Sequence, residues 1–190
     1  NSITRFQHSH YAKKTGNLES VNSLIIVPDS RCYTTISNER MKTNMRELIL
    51  YSTLFGHNLE LSQLIAEHCP QMTRCGLAET SAAALANCNR LVLCPCTYGD
   101  GYLTPLEEQF FHQVQGMPLP HLSYLVVGAG DLDYGHAAFA RAVLIFDRAL
   151  HDQGARRLGA PIRVDYEETA SGARQAVAQL KRARKEPEHG

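Results

Sequence analysis

Three short stretches of the chain combine residue types that can hold an anion or a flat ring. The first is Ser52-Thr53-Leu54-Phe55-Gly56-His57-Asn58. Small hydroxyls, a glycine and a helix start make a phosphate site. Backbone N–H groups and the helix dipole face the anion there, and hydroxyls add hydrogen bonds. Ser52, Thr53, Gly56, His57 and Asn58 are its candidate ligands. The second stretch is Thr97-Tyr98-Gly99-Asp100-Gly101. An aromatic ring beside two glycines can stack on a flat heterocycle while backbone approaches the edge of that heterocycle. The third runs from Gly128 through Gly130, Asp131 and Tyr134 to His136, offering a second aromatic, carboxylates and unpaired amides. No residue in these stretches is needed as nucleophile or general base, and neither a Ser/His/Asp order nor an HExxH motif occurs. The remaining histidines, among them His68, His112, His121 and His151, are scattered.

Those stretches need a framework that carries them to one edge, and the hydrophobic pattern supplies it. Leu48 to Ser52 is an apolar β run, and Leu59, Leu61, Leu64 and Ile65 follow at helical spacing. Met72 to Leu77 reads as a short strand, Ser81 to Ala86 as a short helical segment, and Arg90 to Cys96 as a buried strand. Thr104 caps a helix through about Gln115, with Pro105 at its first position. Leu122 to Gly128 is another buried strand, and Ala137 to Gln153 an amphipathic helix closed by Gly154. Ile162 to Val164 is a last short strand, and Ser171 to Lys185 a helix whose basic end suits its dipole. Near-continuous apolar strands alternating with helices predict an α/β domain: a parallel sheet covered on both faces with right-handed crossovers. Such sheets bind ligands outside the carboxyl ends of their strands. The three stretches follow strands one, three and four, so all three fall at that edge.

Composition narrows the function. The 190 residues are 44% hydrophobic and 20% charged, as in a globular protein. No apolar run reaches the roughly 18 residues that span a bilayer, and the opening residues lack a signal-peptide pattern. Residues 1–44 carry six Lys/Arg and three Asp/Glu, leaving thirteen and sixteen for 45–190, a balance of −3. A mildly acidic domain argues against nucleic acid and suits a basic partner. Residues 1–44 lack helical periodicity and read as a flexible N-terminal extension. Met45-Arg46-Glu47-Leu48 reads as the opening of the domain over 45–190. The six cysteines form no CxxC pair or zinc spacing, and Cys94 and Cys96 share one face of an apolar run. They read as buried, reduced thiols of a cytoplasmic protein.

Taken together, the loops give the chain a resemblance to the flavodoxin family. Tyr51–Asn58 resembles its phosphate loop and Cys96-Thr97-Tyr98-Gly99-Asp100-Gly101 its first isoalloxazine loop. Val127 to Tyr134, followed by Phe139 and the helix ending Leu150-His151-Asp152-Gln153-Gly154-Ala155, resembles the second. The Thr-Tyr-Gly-acid-Gly loop is similar to the flavodoxin domains of diflavin reductases, and the short length to MioC-like flavodoxins. Two positions depart from the family: Phe55 stands where Thr or Ser usually precedes the glycine, and Asn58 where Thr, Ser or Ala is frequent. The resemblance implies a five-stranded parallel sheet of order 2-1-3-4-5 with FMN at its carboxyl edge. Tyr98 and Tyr134 would sandwich the ring, and the Gly99–Asp100 peptide would turn to accept the proton on N5 of the half-reduced flavin. It also implies a monomeric one-electron carrier between an NAD(P)H-dependent reductase and an acceptor protein. An FMN-dependent quinone reductase and a flavin-free scaffold, the latter motivated by Phe55, are the alternatives. A response regulator is excluded, because strand three ends Cys96-Thr97 with no acidic phosphoacceptor.

Overall fold

Central strands of a parallel sheet are buried on both faces and so carry apolar side chains at consecutive positions. In the computed structural model, which describes residues 47–185, β1 (Glu47–Tyr51), β3 (Arg90–Cys94) and β4 (Ser123–Gly130) do so. The expected extension over residues 1–44 lies outside the described residues. β2 (Thr73–Gly76) pairs with the outer side of β1, and the order β2-β1-β3-β4-β5 is parallel throughout. The far edge is one strand in two pieces. β5 (Arg156–Arg157) lies beside Ser123–Tyr124, and β6 (Ile162–Asp165) beside Val127–Gly130. Between them the four residues 158–161 stand against the two residues Leu125 and Val126.

Alternation along the strands divides the core in two. Leu48, Leu50, Leu91, Leu93, Tyr124 and Val126 face α2 (Pro105–Gln115) and α3 (Arg141–Asp152), which contribute Phe110, Val114, Val143, Phe146 and Leu150. Ile49, Val92, Leu125 and Val127 face α1 (His57–His68) and α4 (Thr169–Lys185), which contribute Leu61, Ile65, Ala176, Val177 and Leu180. The buried Tyr124 hydroxyl donates to the Asp147 main-chain carbonyl at 2.7 Å, and Arg157 makes a two-pronged ion pair with the Asp147 carboxylate, tying α3 to the edge strand.

Three expectations change in detail. The helical segment after β2 is a pair of 3-10 turns, Leu77–Glu79 and Ala82–Asn87, so no α-helix crosses between β2 and β3. The helix expected from Ala137 begins at Arg141. Gly135 and Ala140 both have positive φ (78° and 41°), and residues 137–140 form turns instead. β4 runs two residues past Gly128 to Gly130 because β6 pairs with that end.

Candidate functional site

Beyond β1 the chain turns through Ser52–Gly56 into α1. Gly56 has φ 96°, and its N–H donates to Thr53 Oγ1 at 2.9 Å. The Glu60 N–H reaches the Gly56 carbonyl at 2.9 Å, so the amides of 57–59 precede the first intrahelical bond and point out of the helix end. An anion there meets those N–H groups and the positive end of the helix dipole. Thr53 retains its O–H as a donor. His57, the first residue of the helix, has its ring 4.9 Å from that of Tyr166. The other polar side chains of this turn face inward. Ser52 is buried beside Glu107, where it favours the anionic carboxylate. Asn58 Oδ1 accepts the Ala129 N–H at 2.8 Å, stitching α1 to β4.

The turn after β3 closes on itself. Tyr98 N–H donates to the Tyr102 carbonyl and Tyr102 N–H to that of Tyr98, both at 2.8 Å. At the tip between them Gly99 has φ 48°. That left-handed backbone costs an L-residue about 1–2 kcal/mol, which glycine avoids. Both tyrosine rings stand out of the loop, 56% and 62% exposed. Thr97 Oγ1 accepts the Ala142 N–H at 3.0 Å and so caps α3, whose own N-cap, Ala140, has no side chain able to do it.

After β4, Asp131 Oδ1 accepts the Asp133 N–H at 2.8 Å and opens a short turn that presents the exposed ring of Tyr134. Arg163 on β6 donates to the Phe139 carbonyl at 3.2 Å and lies 5.5 Å over its ring, holding the far side of the loop. Beneath the first two loops lies Glu107, with no exposed surface. Its Oε1 accepts the Cys96 N–H at 2.6 Å, and its Oε2 accepts the Thr104 N–H at 2.9 Å and the Thr104 hydroxyl at 2.8 Å. Burial pushes its carboxyl above the ordinary range, although these donors favour the anion.

The loops enclose a cleft of about 610 Å³, within the roughly 300–1,000 Å³ usual for cofactor sites. Aromatic rings of Tyr98 and Tyr134 line it, together with the first residues of α1. Carboxylates gather around Tyr166. Glu167 foremost, with burial and then Asp131, Asp165 and Asp133, pushes the Tyr166 phenol pKa up. The arrangement suits a flat heteroaromatic ring with an anionic tail.

A family model described as Flavodoxin matches residues 49–179. The chain belongs to the flavodoxin family. Among solved structures, a short-chain flavodoxin associated with a bacterial microcompartment is 26% identical, with a TM-score of 0.66 over 72% of this chain and 97% of that one. The oxidised Flavodoxin 2 of Bacillus cereus is 23% identical, with a TM-score of 0.65 over 72% and 99%. The flavodoxin of Fusobacterium nucleatum bound to flavin mononucleotide is 14% identical, with a TM-score of 0.62 over 71% and 96%. No curated protein matches the chain.

Of the residues expected from sequence, this flavodoxin brings Thr53, His57, Asn58, Thr97, Tyr98, Gly99, Asp100, Gly130, Asp131 and Tyr134 to the cleft. Ser52, Gly56, Gly101, Gly128 and His136 are not in its lining. Ser52 is buried beside Glu107, and Gly56 shapes the helix start. Gly101 packs under Arg141 and Ala138. At Gly128 a Cβ would stand 2.6 Å from Val143 Cγ2 and 2.9 Å from the Pro95 carbonyl oxygen, so its bareness serves packing. His136 is exposed on the outer side of its loop, with its carbonyl facing Arg163 at 3.4 Å.

The cleft also holds residues the sequence did not single out as ligands: Cys96, Tyr102, Ala129, Ala138, Ala140 and Tyr166. Tyr166 had a signal, since it follows the last strand at the same carboxyl edge. Phe55, named only as a departure, lines the cleft with 85% of its surface exposed and no packing role. Cys96 is pushed up to about 11 by burial and the Glu107 charge, so its thiol is neutral.

Proposed function

We propose that this flavodoxin binds FMN and carries single electrons between an NAD(P)H-dependent reductase and an acceptor protein. The observation that carries the reading is the cleft itself, lined by two exposed tyrosine rings and by the first turn of α1. The residues present fit the group. Tyr98 and Tyr134 would flank the isoalloxazine, and Thr53, His57 and the amides of 57–59 would take the phosphate. When bound, the flavin supplies the one-electron chemistry, and the protein tunes it.

The chain's own residues act in three ways. The tyrosine rings offer electron-rich faces, which disfavour added electron density on a stacked partner. Asp100, Asp131 and Asp133 add negative charge around the mouth and oppose a reduced anion. The Gly99–Asp100 peptide, at a left-handed tip with nothing but the Tyr102 ring edge within 4.0 Å of where a Cβ would stand, has room to turn its carbonyl toward a proton on the ring. The same carboxylates favour docking of a basic partner. Cys69, Cys75, Cys94 and Cys96 are buried free thiols, which suits the reducing cytoplasm in which we place the carrier. No helix among the described residues is long and apolar enough to cross a membrane.

The test is the identity of the cofactor. Mass spectrometry of the heat-released chromophore should give FMN. Release of FAD, or no flavin after reconstitution with excess FMN, contradicts the reading.

A further inference from the structure

The loop that presents Tyr134 rests on two bare positions of β4 and is gripped from β6 on both sides of that ring. A Cβ at Gly130 would stand 2.5 Å from the Ala140 nitrogen and 2.9 Å from its Cα, so the end of the loop lies directly on the sheet. Arg163 is in register with Gly128 and Asp165 with Gly130. Two residues apart on a strand, they point to one face, while Ile162 and Val164 fill the core on the other. Arg163 donates to the Phe139 carbonyl at 3.2 Å and to the His136 carbonyl at 3.4 Å, with its guanidinium 5.5 Å from the centre of the Phe139 ring. Asp165 takes the other side: Oδ2 accepts the Leu132 N–H at 3.3 Å, and Oδ1 accepts the Glu167 N–H at 3.0 Å. That second bond ties the loop to the turn carrying Tyr166, which also lines the cleft. The gripped chain is not a relaxed one. Among the described residues Ala140 is the one non-glycine with positive φ, at 41°. An L-residue stays in that region where its surroundings over-determine it, and the carbonyl that Arg163 holds belongs to the Phe139–Ala140 peptide. Residues 137–140 have a helical alternative, because their pattern runs on into α3.

We propose that Arg163 and Asp165 are positioning residues that hold this loop in the shape that offers Tyr134 to the flavin ring. Arg163 pins the Phe139–Ala140 peptide in its left-handed turn, and Asp165 pins the stretch before Tyr134. Neither residue lines the cleft, so both act through Tyr134. Released, residues 137–140 wind onto the start of α3 and draw Tyr134 away from the ring position. This inference rests on the flavin reading above. The opposite charges of the two residues separate this role from simple electrostatics. FMN is an anion, so on charge alone loss of Arg163 weakens its binding and loss of the Asp165 charge strengthens it. As positioning residues, loss of either weakens it.

The experiment titrates FMN into the full chain freed of cofactor and follows fluorescence, which gives both the affinity and the quenching of the bound ring by stacking. Arg163→Ala should weaken FMN about fivefold or more, and the bound flavin should fluoresce more strongly than in the wild type. Asp165→Asn should shift both readings the same way by a smaller factor. In a Tyr134→Ala background, Arg163→Ala should cost less than about twofold further, since the ring it positions is gone. Arg157→Ala, on the other piece of the edge strand, breaks the ion pair with Asp147. It should lower the melting temperature and leave FMN affinity and quenching as in the wild type. Wild-type affinity in Arg163→Ala, or tighter FMN in Asp165→Asn, overturns the proposal. So does an Arg163→Ala effect undiminished by Tyr134→Ala, or an equal loss in Arg157→Ala. If Arg163→Ala fails to fold, the sign of the Asp165→Asn effect decides alone. A wild type that does not bind FMN removes the flavin reading, and this inference with it. A wild type that binds FMN, with variants that give any of the overturning results, removes only the inference.

Discussion

The two ends of the cleft are built on opposite plans. At the phosphate end two polar side chains are engaged within the fold: Ser52 is buried beside Glu107, and Asn58, at the cleft wall, accepts the Ala129 N–H at 2.8 Å. What remains for an anion is backbone, namely the amides at the start of α1, with Thr53 and His57 beside them. At the ring end the backbone closes on itself through the Tyr98–Tyr102 hairpin, and the side chains are left standing in solvent. So the phosphate end depends on framework geometry, which distant residues maintain. The ring end depends on individual side chains, which can be removed without disturbing the fold.

That contrast predicts where mutations will act. Asn58→Ala leaves the buried Ala129 N–H without its acceptor. About 1–3 kcal/mol of stability should be lost, and FMN affinity should fall with it; denaturant melts and fluorescence titration of the same protein check both. If Asn58→Ala weakened FMN with no loss of stability, Asn58 would be a ligand and the two ends would not differ as described. Tyr98→Ala should do the reverse, costing about 1–2 kcal/mol of FMN affinity through lost stacking while the melting temperature of the apo-protein stays put. A marked fall in apo-protein stability would place the Tyr98 ring in the framework.

Gly99→Ala sharpens the comparison within the ring end. The site has room for a methyl group but not for the left-handed φ of 48°, so the cost of about 1–2 kcal/mol falls on whichever redox state needs that backbone most. The maximal yield of half-reduced flavin should drop while oxidised FMN stays bound. Asp100→Ala should instead ease full reduction and leave the turn intact. The smallest effect belongs to Phe55→Thr. Phe55 is 85% exposed, so stability should not change, and one added donor near a partly solvated phosphate should tighten FMN by about 0.5–1.5 kcal/mol. Unchanged affinity would mean that position 55 does not face the phosphate.

How much of this was legible in the sequence follows from the range of each interaction. β1, β3 and β4 show as apolar runs because burial on both faces demands them, and the loops at their ends show because glycine beside an aromatic is a local signal. The Thr104 cap with Pro105 was equally local. The partners of Ser52 and Asn58 were not, since Asn58 meets Ala129 across 71 positions of chain. Polar residues in a phosphate loop therefore read as ligands until their distant partners are seen. Glu107 was not singled out in the sequence, although it stands at capping-box spacing from Thr104, and its bond to Cys96 depends on how α2 packs under β3. The late start of α3 was hidden for the same reason: its cap, Thr97, comes from another loop. The two-piece edge strand was missed because β5 is only the exposed pair Arg156–Arg157, with no apolar pattern to announce it.

The central claim, that this flavodoxin holds FMN and handles electrons singly, meets its most direct test in an anaerobic reductive titration of the purified protein, followed by visible absorption and electron paramagnetic resonance. The account predicts that bound FMN passes through a large, protonated, half-reduced population before full reduction. Reduction in a single two-electron step with no paramagnetic species would contradict it.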